Sequence, residues 1–307
     1  MASNLSAPYF HNEEAAFAFV EARIWPEGPN CPHCGGVERI GKMGGKSTRT
    51  GLYKCYQCRK PFTVRMGTIF EASHVPLHIW LQAMYLIAGS KKGISSNQLH
   101  RTLGVTLKTA WFMSHRIREA MRSRDLSPFG GEGGVVEVDE TFIGRKAGVP
   151  VRNAYHHKMA VLSLVHRESG AVRSFVVEKA TMEHMLPIVT ANIDRETYIM
   201  TDESTAYPKM LRNHFLGHGR VNHGAGEYVR GRVTTNTVEG FFSIFKRGFK
   251  GIYQHCAEKH LHRYMAEYDF RYSNRVALGF NDTDRADAML RGVVGKRLTY
   301  QQSRASA

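Results

Sequence analysis

The chain has 307 residues, 42% of them hydrophobic, enough for two or three small domains with ordinary buried cores. Its 42 Lys plus Arg against 27 Asp plus Glu give a net charge of +15, which points to a polyanionic partner held by counterion release; a merely basic surface is the blander reading. No apolar run reaches the roughly 18 residues of a membrane span, and Met1 to Phe19 has neither a basic head nor a continuous apolar stretch, so no membrane is expected and the cytoplasm is the expected place.

The N-terminal region, 1–70, is organised by Cys31-Pro32-His33-Cys34 and Cys55-Tyr56-Gln57-Cys58, two C-x-x-C turns separated by twenty residues. Two thiolates two residues apart reach one ion from a tight turn, and two such turns complete the tetrahedral shell of structural Zn²⁺. Gly44, Gly45 and Gly51 suit hairpin turns between them, and Leu52-Tyr53-Lys54 reads as a short strand. A redox dithiol is the alternative, but it needs one such motif beside a βαβ unit. With four cysteines available, His33 reads as solvent-facing, and Cys256, which has no partner in sequence, as an ordinary buried thiol.

In the next segment, 76–125, Leu77, Trp80, Leu81, Met84 and Tyr85 recur at helical spacing up to Gly89. Ser95 or Ser96 then caps a short helix to Leu103, Gly104 makes a turn, and Thr106 caps a longer helix to about Arg122. That order predicts a helix-turn-helix whose second helix lays Lys108, Thr109, His115, Arg116 and Arg118 toward a DNA groove; a helical packing unit with a solvated charged face is the alternative. The glycine-rich stretch Arg122 to Gly134 reads as a linker.

The region 133–275 predicts an α/β domain. Val135 to Asp139 is a β-branched run that ends in a carboxylate, followed by strands at Met159 to His166 and Val172 to Val177, a helix at Met182 to Ile193, and a strand Tyr198 to Thr201 ending in Asp202. This order fits a ribonuclease-H-like core in which adjacent strand ends bring two acids together. A helix around Thr237 to Lys246 supplies a third acid, Glu239, with Asn236, Ser243 and Lys246 on its face; Lys246 lies roughly 10 Å along the axis, placed for a DNA phosphate. Three converging carboxylates repel unless a cation neutralises them, so Mg²⁺ or Mn²⁺ is expected, with in-line attack on phosphorus as its chemistry. Taken singly, Asp139 and Asp202 could be strand-end turn residues and Glu239 a solvated helix charge. Glu137 shares a face with Asp139 and is expected to partner a basic residue; Glu140 and Glu203 are expected to point elsewhere, and His214, His218 and His223 to make DNA contacts or local hydrogen bonds.

On these residues the chain resembles the zinc-ribbon DDE transposases of bacterial insertion sequences, in family fifteen-ninety-five. The resemblance rests on the ribbon, on Val136 to Gly144, Thr201 to Ser204, Glu227-Tyr228-Val229 and Thr235 to Ser243, and continues through Lys246-Arg247-Gly248, Lys259-His260-Leu261 and Phe270-Arg271-Tyr272. It implies that Asp139, Asp202 and Glu239 are the metal-binding triad, with Lys246 accessory, Arg247 beside it on DNA, and Asn236 a weaker candidate for the site. It also implies binding of double-stranded transposon ends, strand cleavage and transfer, a homo-oligomer on DNA and association with the nucleoid. Thr234 stands where relatives often carry His and Phe242 where they often carry Trp; neither change removes a carboxylate. The competing readings are a DNA-binding regulator with a decayed catalytic fold and a junction-resolving nuclease. A helix from Lys259 to Tyr272 is expected to pack on the core, and 276–307 reads as a polar, irregular tail whose last residues, Gln301 to Ala307, are disordered.

Overall fold

The structure, a computed structural model, describes residues 3–151, 154–203, 207, 211 and 213–299. It divides into two compact units, Met1–Arg122 with Asn281–Ala307, and Ser123–Phe280. Ser204 of the second acidic motif and the tail 301–307 lie outside the described residues.

The first unit opens with α1 (Glu13–Ile24), which the sequence reading passed over; Asn12 caps it by accepting from the Ala15 N–H at 2.9 Å. The ribbon is an antiparallel sheet in the order β1 (Ile40–Lys42), β2 (Tyr53–Cys55), β3 (Pro61–Phe62), so the expected strand lies one residue later than its pattern suggested. Gly51 turns into β2 at φ +69°, and a Cβ there would meet the Phe17 ring at 2.0 Å, so glycine serves both the turn and the packing of α1. Three helices follow as their spacing predicts: α2 (Leu77–Gly89), α3 (Ser96–Leu103) and α4 (Leu107–Met121). Ser95 and Thr106 cap the last two by accepting from Gln98 N and Thr109 N, and Gly104 closes α3 at φ +67°.

The expectation of an irregular tail from 276 is corrected. Val276–Leu278 is a 3₁₀ turn and Asp282–Arg291 is a helix, opened by a capping box between Asn281 and Asp284. Met289 and Leu290 are buried, and Arg285 Nε donates to the Ala88 carbonyl at 3.0 Å, so this helix is part of the first unit.

The second unit is built on a sheet in the order β6 (Val172–Val177), β5 (Met159–His166), β4 (Val135–Ile143), β7 (Tyr198–Thr201), β8 (Gly217–Arg220). β4 pairs antiparallel with β5 and parallel with β7. Both faces are covered, which explains why β5 reads as a nearly continuous apolar run; β4 runs on past Asp139 to Ile143, so Asp139 lies within the strand and not at its end as the sequence pattern suggested. On one face Val136, Val138, Leu162 and Leu164 pack with Met185 and Val189 of α5 (Met182–Asn192). On the other, Ile143, Val161 and Val165 pack with Phe241 and Phe245 of α6 (Asn236–Gly248) and with Leu261, Met265 and Tyr268 of α7 (Glu258–Ser273). Among the described residues no helix is long and apolar enough to cross a membrane.

Candidate active site

The ribbon gathers its four cysteines. Cys31 Sγ lies 3.6 Å from Cys58 Sγ and Cys34 Sγ 3.7 Å from Cys55 Sγ, with all four sulfurs within 4.8 Å of one another. A tetrahedron with metal–sulfur bonds of about 2.3 Å has sulfur–sulfur edges of roughly 3.8 Å, so the residues present fit Zn²⁺. The N–H groups of Cys58 and Gln57 draw the Cys55 thiol down to about 7, toward the thiolate a metal takes. His33 stays exposed, its Nε2 3.3 Å from the Pro61 carbonyl.

The acidic site is set by strand register. Val135 pairs with Tyr198 and Glu137 with Met200 in the parallel β4–β7 ladder, so two residues further along Asp139 comes level with Asp202. Glu137 and Asp139 share the face that looks toward α6. The fully buried Glu137 carboxylate meets that helix directly: it accepts from Thr237 N at 2.8 Å, Thr237 Oγ1 at 2.8 Å and Val238 N at 2.9 Å, and it pairs with Arg167 at 2.8 Å. The basic partner anticipated for it is therefore present. Its larger role, capping the N-terminus of α6 from a neighbouring strand, was not readable from spacing, because Thr235 at the cap position makes no side-chain cap.

This anchoring brings Glu239, in the first turn of α6, into the field of Asp139. Burial raises the Asp139 carboxyl well above its usual range; Glu140, Asp202 and Glu239 raise it further, while the Glu140 N–H, which donates to Asp139 Oδ1 at 2.8 Å, works against them. Uncompensated like charge of this kind fits a divalent cation bound through oxygen. Among the described residues the three carboxylates do not close to within 4.8 Å as the cysteines do. Asp139, Asp202 and Lys246 line one cavity of about 640 Å³ together with Glu140, Lys158, Lys250 and Tyr155. Lys246 is half-buried, and burial lowers its ammonium pKa against the raising effect of Asp139.

Glu140 points away from Asp139, as expected. Its side chain turns to the opposite face, as strand alternation requires, and takes the Tyr207 hydroxyl, yet it still borders the cavity and adds to the charge around Asp139. Glu203 turns away and accepts from the N–H groups of His223 and Gly224. His218 Nε2 lies 2.9 Å from Thr201 Oγ1, and His223 Nε2 lies 3.0 Å from Glu239 Oε1. Asn236 is exposed at the start of α6, and Arg247 is exposed near its end, its Nε donating to the Ser243 carbonyl. Cys256 is half-buried and packs against the apolar cluster of α6 and α7.

Three of the residues expected on DNA are interior, the His115 ring among them at 1% exposure. Arg116 and Arg118 are 4% and 3% exposed. Arg116 donates to the carbonyls of Ile69, Glu71 and Leu298 at 2.7, 2.8 and 3.0 Å, and Arg118 to Ser114 Oγ at 3.0 Å. Arg116 ties α4 to segments before and after it in the chain, and neither arginine is a surface cation; Lys108, in the first turn of α4, is exposed.

Residues 132–273 match the model of the ISXO2-like transposase domain, and residues 11–61 match that of the transposase zinc-ribbon domain. A protein of transposable element ISH50 from Halobacterium salinarum is 28% identical over 254 residues, which take in 78% of this chain and 83% of that protein. Among solved structures, a chain of the simian T-cell lymphotropic virus intasome in complex with PP2A regulatory subunit B56 gamma matches with a TM-score of 0.30 at 15% identity, over 61% of this chain and 64% of that one. A likeness that slight carries no argument here.

Proposed function

The chain belongs to the transposases of insertion-sequence family fifteen-ninety-five, and on that premise we propose that it cuts DNA at the ends of its element and joins them to a target, using Asp139, Asp202 and Glu239. The observation that carries this reading is the level placement of Asp139, within β4, and Asp202, just past the end of the adjacent parallel strand β7, with the N-terminus of α6 anchored beside them by Glu137. The sheet order and the placement of the helix bearing the third acid support the reading of a ribonuclease-H-like core.

Mg²⁺ or Mn²⁺ held by these carboxylates supplies activation of a water or 3′-hydroxyl and stabilisation of the leaving oxygen. The protein's own part is placement. Asp139 and Asp202 face the cavity, and Lys158, Lys246 and Lys250 border it, where they take the phosphates on either side of the scissile bond. Lys246 is accessory, and Arg247 follows the backbone outside the cavity. Asn236, exposed on the same turn as Glu239, stays a weaker member of the site.

In the first unit we assign structural Zn²⁺ to the four cysteines, and to α3, Gly104 and α4 the part of a helix-turn-helix that grips duplex DNA with Lys108. Holding two transposon ends implies a homo-oligomer on DNA, at work in the nucleoid. The test is cleavage of DNA carrying the element's ends by purified protein in Mg²⁺ or Mn²⁺. Wild type cuts at the ends, whereas Asp202→Ala and Glu239→Ala bind the same DNA without cutting it. End-specific binding with no cleavage by wild type in either metal overturns the reading in favour of a regulator.

A further inference from the structure

Glu239 is held by a short relay. His223 Nε2 lies 3.0 Å from Thr235 Oγ1, and the Thr235 hydroxyl donates to Glu239 Oε1 at 2.8 Å. The same ring nitrogen stands 3.0 Å from that carboxylate oxygen. Thr235 is fully buried, so no water competes for its hydroxyl. A hydroxyl has one proton, and accepting from His223 directs that proton to Glu239. His223 Nδ1 is buried with no partner among the described residues, which leaves the ring's hydrogen on Nε2 where it has acceptors.

The ring is itself fixed. Tyr228 packs against it with centroids 5.0 Å apart. Its backbone is tied to the end of β7, because the Glu203 carboxylate accepts from His223 N at 2.8 Å and Gly224 N at 3.1 Å. Glu203 follows Asp202 directly in the chain. Contacts therefore run without a break from the strand end carrying the second acid to the side chain of the third. Glu239 Oε1 is occupied by this relay, while Oε2 accepts no hydrogen bond among the described residues.

We propose that His223 and Thr235 are positioning residues that lock the Glu239 carboxylate with Oε1 turned to the relay and Oε2 presented to the divalent cation, and that Glu203 sets the relay relative to Asp202. The inference rests on the reading of Glu239 as the third metal-binding acid. Without the relay, a carboxylate that is 43% exposed on a helix surface has several rotamers to lose on binding a cation. Partners that orient a metal-binding side chain are typically worth about 10- to 100-fold in metal affinity.

The test is Mn²⁺ binding to the full-length, zinc-loaded protein without DNA, by isothermal titration calorimetry, with the melting temperature recorded for each variant. His223→Ala and Thr235→Val are expected to weaken Mn²⁺ about 10- to 100-fold. His223→Gln and Thr235→Ser, which keep a donor and a hydroxyl at the same places, are expected to recover most of the loss at comparable melting temperatures. If Glu239→Ala loses Mn²⁺ while His223→Ala and Thr235→Val bind it as wild type does, the relay is refuted and the triad stands. If His223→Gln is as weak as His223→Ala, the ring acts as a direct ligand and the relay is again refuted. If Glu239→Ala binds Mn²⁺ as tightly as wild type, both readings fall.

Discussion

Replacing Glu137 with alanine removes the carboxylate that ties the central strand to the N-terminus of the helix bearing the third acid. The carboxylate has no exposure and accepts five hydrogen bonds, from Arg167 Nε and Nη2, Thr237 N and Oγ1, and Val238 N. Breaking a buried ion pair by removing one partner costs about 3–5 kcal/mol, and losing a helix cap about 1 kcal/mol more. Arg167 retains the carbonyls of Arg232 and Thr234 as acceptors, which moderates the first figure, so the expected loss is about 4 kcal/mol. In a unit of this size that corresponds to a fall in melting temperature of roughly 8–16 °C. Glu137→Gln keeps an acceptor oxygen and is expected to lose about half as much. Urea unfolding followed by far-ultraviolet circular dichroism measures the loss. Amide hydrogen exchange places it, and protection is expected to fall first over 236–241. A Glu137→Ala protein within about 1 kcal/mol of wild type, with exchange over that turn unchanged, would refute the claim that this carboxylate anchors α6.

The remaining expectations concern both units. Lys108→Ala is expected to weaken duplex binding and to reduce the slope of log K against log salt by about 0.9. Arg116→Ala is expected to leave that slope unchanged while destabilising the first unit by about 3 kcal/mol, since three carbonyls lose their donor; a reduced slope would put Arg116 on DNA after all. Chelation of zinc, or Cys55→Ser, is expected to unfold the ribbon, read by the fluorescence of Trp25, which packs edge-on against Tyr53 and Phe62. Asp269, which accepts from Ser174 N and Oγ, is raised by burial from 3.8 to about 7. Its folded pKa lies above its unfolded one, so the native state keeps the proton longer, and stability from this group falls as pH rises from about 4 to about 7 and is level above that. The slope is at most about 1.4 kcal/mol per pH unit, and denaturation of wild type against Asp269→Asn at pH 5 and 7.5 detects it as a difference present in wild type alone.

The parts of the fold and site that the sequence disclosed are those whose signals are local. Paired cysteines two residues apart announce the ribbon, and Ser95, Gly104 and Thr106 mark helix ends by their own backbone chemistry. The two acids stood out because a sheet covered on both faces demands apolar strands, and a carboxylate in or just after such a strand is conspicuous, although β4 continues past Asp139 to Ile143. What stayed hidden depends on partners remote in sequence. Arg116 and Arg118 carry the residue types of a DNA-reading helix, but Ile69, Glu71 and Leu298 enclose Arg116, and nothing in the helix itself reports that. The capping role of Glu137 needs residues a hundred positions away. The Asn281 and Asp284 capping box, by contrast, was a local signal in the segment read as an irregular tail, and with Met289 and Leu290 behind it the helix was there to be found. His223 lacked helical spacing to any other ligand and reaches Glu239 through a turn held by Glu203.

The central claim is that Asp139, Asp202 and Glu239 form a site that joins DNA as well as cutting it, and strand transfer tests it most directly. Precut element ends are incubated with a supercoiled target plasmid and Mg²⁺ or Mn²⁺, and covalently joined products are counted for wild type and Asp139→Asn. Wild type is expected to give joined products and Asp139→Asn, which still binds the ends, none. Joining by Asp139→Asn at the wild-type rate would contradict it, and so would a wild-type protein that nicks the plasmid in either metal but never joins an end.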